Sequence, residues 1–207
     1  GAGNLLGAEQ SGFIADLGYE TYQKILAEAV SELKGEEFAD LYADSLRKTN
    51  LTGDFFVDEC NVECDLHAFF PETYVPGATE RMMLYRELDG LTADDQLAAF
   101  RKRMEDRFGK LPPEGEELLA IVPLRRSGRK LGAEKITLKQ HRMTLYFISK
   151  TDSPFYKSAT FDRLIAFATT NFRRCELKES GGKRRMIIKD IGSVGQALHL
   201  LQSLTGN

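Results

Sequence analysis

The sequence predicts an α+β fold in which an antiparallel sheet is packed with several helices. Two observations carry this reading. Alternating apolar and polar residues flank a tight turn twice, around Gln140-His141-Arg142 and around Ser180-Gly181-Gly182, as in β-hairpins. Segments with helical apolar spacing interrupt those hairpins instead of alternating with single strands, which separates α+β from a parallel α/β sheet. The 207 residues suit one domain plus an appendage, and with 42% hydrophobic residues the chain has enough apolar side chains for a core. The expected divisions are 1–35, 36–60 as a linker, and 61–207 as the folded domain.

Taken in order, a first helix is expected over 18–34, where Tyr19, Tyr22, Leu26, Val30 and Leu33 recur at helical intervals and Gly35 supplies a stop. Its apolar stripe needs a cover, either residues 1–15 or a second copy of the chain. Phe38, Leu41, Tyr42 and Leu46 suggest a short amphipathic helix inside the linker. Residues 61–70 alternate, with Val62, Cys64, Leu66 and Ala68 on one face, and read as a half-buried strand. A helix follows over 78–88. Thr92 then caps another that runs to Phe108, with Leu97, Phe100, Met104 and Phe108 as its buried stripe. A third opens after Pro113, carries Leu118, Leu119, Val122 and Leu124, and is expected to end at Gly128 and Gly132. The hairpins span 136–148 and 175–189, separated by a helix bearing Phe161, Leu164, Ile165 and Ala168. Ser193 and Gln196 form a capping-box pair for the last helix, which buries Val194, Ala197, Leu198, Leu201 and Leu204.

Several function classes lack support. No GxxxxGK[ST] loop is present; residues 128–132 (GRKLG) have the wrong spacing, so no triphosphate site is expected in this chain. The glycines at positions 1, 3 and 7 follow no strand and fit close helix approach better than a dinucleotide loop. Cys60, Cys64 and His67, with His141 or His199 as a fourth ligand, invite a zinc reading. Strand alternation opposes it by pointing His67 away from Cys64, so buried thiols are expected and no metal. Scattered histidines leave no catalytic triad, and no apolar run reaches the ~20 residues of a membrane helix. Three cysteines cannot all pair, which favours a reduced, cytoplasmic setting.

Charge is distributed unevenly. Residues 1–110 carry 11 Lys+Arg against 22 Asp+Glu, whereas 111–207 carry 17 against 9. Two basic clusters stand out in the second half: Arg125, Arg126, Arg129 and Lys130, then Arg173, Arg174, Lys183, Arg184 and Arg185. They read as a solvated or protein-facing surface, with duplex DNA as the alternative ligand.

Residues 1–22, GAGNLLGAEQSGFIADLGYETY, resemble the segment that follows the helicase core in the bacterial transcription-repair coupling factor family, part of a helical hairpin shared with the helicase RecG. The tripeptide Gln10, Ser11 and Gly12 matches, while the family's arginine before the first glycine falls outside the sequence. Residues 70–88, FPETYVPGATERMMLYREL, and 104–121, MEDRFGKLPPEGEELLAI, resemble the opening of the family's C-terminal domain. The resemblance implies a piece of a longer protein, as does a helical pattern opening on Gly1 without a cap. It makes residues 1–35 the remnant of the hairpin that couples ATP turnover to translocation, with Gln10 as the coupling residue or as a bond that fixes the turn. It makes 61–207 a regulatory domain that docks on the parent's N-terminal module for recruiting UvrA and masks it until a stalled RNA polymerase is engaged. ATP and Mg would belong to the parent's motor, and duplex DNA to the parent's track.

Overall fold

The computed structural model describes Gly18 and residues 56–206. The helices expected at 18–34 and 38–46 lie outside the described residues. The described residues 56–206 fall into two compact units, one being His67–Val122 and the other residues 123–206 together with 56–66. The element order is β1 (Asn61–Cys64), α1 (Ala78–Asp89), α2 (Asp94–Phe108), α3 (Pro113–Lys130), β2 (Ala133–Lys139), β3 (Arg142–Phe147), a 3-10 turn (Pro154–Lys157), α4 (Ala159–Thr170), β4 (Cys175–Ser180), β5 (Lys183–Lys189) and α5 (Val194–Leu204). This is the α+β order anticipated from periodicity.

The helical unit is built around aromatic rings. Phe70 stacks on Tyr85 with centroids 5.4 Å apart and ring planes 4° from parallel, and also lies 6.4 Å from Phe100. The Tyr85 hydroxyl accepts the Phe70 amide at 2.9 Å, so a buried N–H next to the rings is satisfied. Arg81, only 1% exposed, donates from Nη1 to the carbonyls of Val75 and Pro76 at 2.5 and 3.0 Å. Its charge is buried because it ties down the turn that enters α1. Helix α2 starts differently from expectation: Ala93 is the N-cap, and Gln96 Oε1 accepts the amides of Thr92 and Ala93 at 3.1 and 3.2 Å. Phe100 and Met104 of its expected stripe are buried, while Leu97 and Phe108 are half-buried.

The second unit holds a five-stranded sheet in the order β1-β2-β3-β5-β4. Four strands pair antiparallel, as predicted, but β1 joins β2 in parallel, giving a mixed sheet. Strand β1 also ends at Cys64, although residues up to Phe70 continue the alternation. Ala68 and Phe70 are buried, but they lie in the unit His67–Val122 and not on the sheet. One sheet face is core: Val62 and Cys64, Ile136 and Leu138, Met143 and Leu145, and Met186 and Ile188 are all buried. Edge strand β4 is charged and exposed beyond Cys175, a composition that discourages further strand pairing.

Helix α3 does not stop at Gly128. A Cβ there would sit 2.7 Å from Cys60 Sγ and 2.8 Å from Ile136 Cδ1, so this glycine lets the helix lie close on β2 and on the residue that precedes β1. Gly132, at φ +72°, ends the helix, and its bare Cα faces the Phe155 ring at a distance where a Cβ would lie 2.5 Å away. Phe155 is ringed by Phe56, Phe147, Tyr156 and Phe161, with centroids 5.1 to 5.7 Å apart. For α4, Ser158 Oγ accepts the Phe161 amide at 3.2 Å. For α5, Ser193 Oγ accepts the Gln196 amide at 3.0 Å, while the Gln196 carboxamide reaches Gly192 N at 2.8 Å, one residue beyond the expected capping box.

Candidate interaction surface

The structure separates the basic residues singled out from the sequence. Gln10, Ser11 and Gly12 lie outside the described residues. Arg125, Arg126, Arg129 and Lys130 fall on the last turns of α3 and are half-buried. There Arg129 Nε donates to the Val57 carbonyl at 3.4 Å. Burial pushes the neighbouring Cys60 thiol up to about 12, and the nearby Arg125 and Arg129 oppose that shift only partly. In this first cluster Arg129 thus ties the helix end to Val57, and Arg125 and Arg129 lie near Cys60.

The second cluster divides further. Arg174 bonds through Nε to the Lys189 carbonyl at 2.8 Å and through Nη2 to the Asp190 carbonyl at 3.1 Å. It holds the end of β5, where Asp190 adopts φ +62°. Arg184 lies over the Tyr156 ring at 4.2 Å and 3.5 Å from Glu179 Oε2. Arg173 is exposed, its guanidinium 5.9 Å from the centroid of the exposed Phe172. Only Lys183 and Arg185 stand on the outer face of the sheet, because strand alternation sends residues 184, 186 and 188 to the other side.

On that outer face the register gathers basic residues that sequence reading did not associate: Lys135, Lys139, Arg142, Lys178 and Lys189 join Arg185. The signal that would have found them is strand parity combined with the pairing of β3 to β5, which no local pattern supplies. Glu63 lies between Lys135 and Lys139, at 3.0 and 3.2 Å. Desolvation alone would raise its carboxyl, but hydrogen bonds and attraction from the two lysines outweigh it and hold the group below its ordinary value. Arg142, Arg185 and Lys189 have no ion pair among the described residues.

Cys60, Cys64 and His67 do not converge. Both thiols are buried, whereas His67 is exposed and lies beside Phe69. Among the described residues no group of three His, Cys, Asp or Glu side chains is placed to hold a metal, and no helix is long and apolar enough to cross a membrane.

The two quoted segments of the C-terminal domain pattern meet in space. Tyr74, from the first, donates its hydroxyl to the carbonyl of Gly109, from the second, at 2.7 Å, and lies 3.3 Å from that of Met104. The elements define a mixed α+β fold, and a solved structure shares it. It is a crystal structure of the C-terminal domain of transcription-repair coupling factor, similar at a TM-score of 0.53 and 17% identity, covering 71% of this chain and 95% of that one.

Residues 64–158 match the TRCF domain model, a span that contains both quoted segments. The transcription-repair-coupling factor of Rickettsia bellii is 31% identical over 208 residues, covering 99% of this chain and 16% of that protein. The Bacillus subtilis protein of the same name is 32% identical over 136 residues, or 66% of this chain and 10% of its own length. For Escherichia coli the figures are 29% over 150 residues, 72% and 12%. The chain belongs to the transcription-repair-coupling factor family. It spans about one sixth or less of the length of these relatives.

Proposed function

We propose that this chain is the C-terminal portion of a transcription-repair coupling factor and acts as its regulatory tail. In this reading the parent is an ATP-dependent DNA translocase that displaces stalled RNA polymerase and recruits UvrA. Residues 61–207 dock on its N-terminal UvrA-recruiting module and hide it, and residues 1–35 couple ATP turnover to translocation through Gln10, Ser11 and Gly12. The tail itself performs no catalysis, and the setting is cytoplasmic.

The observation that supports this most is the TRCF match over residues 64–158 together with the fold shared with a solved C-terminal domain. A mask needs little energy. A docked state favoured by about 2.8 kcal/mol is occupied a hundred times more than the open one, and engagement need only offset that difference. Charged surfaces suit such reversible contacts between domains of one chain. Deleting residues 61–207 from the full factor is expected to raise UvrA affinity; an unchanged affinity rejects the mask. In the same factor Gln10→Ala is expected to slow translocation with nucleotide binding intact, and normal translocation removes the coupling role.

A further inference from the structure

The outer face of the sheet has an order that the sequence hides. In strand register, Lys139, Arg142 and Lys189 stand directly opposite one another across β2, β3 and β5. Four residues further along each strand, Lys135, Tyr146, Arg185 and Lys178 form a second row across β2, β3, β5 and β4. Between the rows runs Glu63, Thr137, Thr144, Ile187 and Glu176, one residue from each strand. The Lys135 ammonium lies 5.5 Å from the centroid of the Tyr146 ring, which confirms that neighbouring strands present these groups on one side.

This pattern is costly to maintain in isolation. Arg142 faces Lys189, and Arg185 faces Lys178, as directly opposed like charges, which destabilise a strand pair. Carboxylates relieve only the margins: Glu63 serves Lys135 and Lys139, and Glu176 sits 3.8 Å from Lys178. The central cations Arg142, Arg185 and Lys189 are left for an external anion.

We propose that the outer face of the sheet, with its two cationic rows flanking a trough that is uncharged between a glutamate at each end, is a docking site for an acidic amphipathic helix of a partner protein. Four residues at roughly 3.3 Å each put the rows about 13 Å apart, and four interstrand gaps of about 4.8 Å make the trough about 19 Å long. A helix about 10–12 Å across fits between the rows, and about 13 of its residues fill the trough. Its apolar stripe meets Ile187, Tyr146 and the two threonine methyls, while Asp or Glu on its two flanks reach the rows. Nucleic acid fits less well. Glu63 and Glu176 close the two ends of the trough and repel a phosphate chain lying along it, whereas a helix carries its carboxylates on its flanks. Among the described residues Tyr146 is the only aromatic ring on these strands' outer face, so no stacking ladder is offered. This surface goes beyond the mask and does not depend on it.

The test uses the 207-residue chain and a fluorescein-labelled 14-residue peptide with a leucine stripe at i, i+3, i+4 and i+7 and glutamates on both flanks. Fluorescence anisotropy is expected to give a micromolar Kd that weakens at least tenfold when the peptide's glutamates become glutamines or its residues are scrambled. Arg142→Glu with Arg185→Glu is expected to cause a similar loss of binding, while the thermal midpoint stays the same or rises because each glutamate then faces a lysine, showing that the fold persists. Thr144→Lys separates the alternatives: it adds positive charge while filling the trough, so helix docking is lost whereas purely electrostatic binding is kept or strengthened. Equal affinity for the scrambled peptide, retained binding in Thr144→Lys, or tighter binding of a 20-base-pair duplex than of the peptide overturns the proposal.

Discussion

The two compact units are stabilised in different ways. In His67–Val122 the core is pinned by polar groups among rings: the Arg81 guanidinium on two carbonyls and the Tyr85 hydroxyl on the Phe70 amide. In the sheet-bearing unit the core is apolar, and the helix end is seated by the absence of side chains at Gly128 and Gly132. Directional bonds specify one arrangement of a small helical core, whereas close contact lets a helix settle on a sheet. The first should be sensitive to lost donors and the second to added atoms.

The largest effect is expected from Gly132→Ala, which combines a left-handed backbone with a methyl group driven into Phe155. A loss of about 4 kcal/mol in urea denaturation follows from strain of ~1–2 and overpacking of ~1–3 kcal/mol. A loss below about 1 kcal/mol would show that the Phe155 ring turns aside and that close packing is not what seats α3. Arg81→Met, which preserves much of the volume, is expected to cost about 3 kcal/mol because the buried Val75 carbonyl and the part-buried Pro76 carbonyl lose a charged donor. If it proves neutral, the helical core is held by its rings alone and the contrast between units disappears.

Alkaline pH probes both units at once. Burial pushes Tyr85 in one unit and Cys60 in the other up to about 12, and Cys175 up to about 11. Each group stays neutral in the folded chain at a pH where the unfolded chain ionises, so stability is full below about 9 and declines as pH rises toward 12. Chemical denaturation at pH 8, 9 and 10 should follow that course, and Cys60 should resist alkylation at pH 8 until denaturant is added. The smallest effect concerns the turn between β2 and β3. Gln140 and His141 have φ of 54° and 59°, which side chains resist, so His141→Gly is expected to stabilise by about 0.5–1 kcal/mol in thermal denaturation.

Much of the fold was legible because its signals are local. The helix ending at Phe108, the two hairpins and the Ser193 cap each rest on residues within a few positions of one another. What escaped depends on distant partners. Parallel pairing of β1 to β2 joins Val62 to Ile136, and nothing near Val62 indicates direction. Gly128 reads as a helix stop until Cys60 and Ile136 are seen against it. The basic clusters were grouped by sequence proximity, yet adjacent strand residues point to opposite sides, so Arg184 went to Tyr156 and Arg185 to the outer face. Buried Arg81 was hidden inside the segment that carried the family resemblance, since arginine in a helix usually signals surface.

The reluctant turn at Gln140 and His141 also bears on how the sheet assembles. Gly181 and Gly182 let β4 and β5 close on their own, with φ of 60° and 76° at no steric penalty. The other hairpin receives its help from afar: the Asp65 carboxylate accepts the Gln140 amide at 2.9 Å, and the His141 carbonyl accepts the amide of Ile191. Residues 75 and 50 positions away must arrive before this bend is held in place. The C-terminal ribbon is thus the natural seed, and the middle of the sheet locks only once both of its distant neighbours have come home.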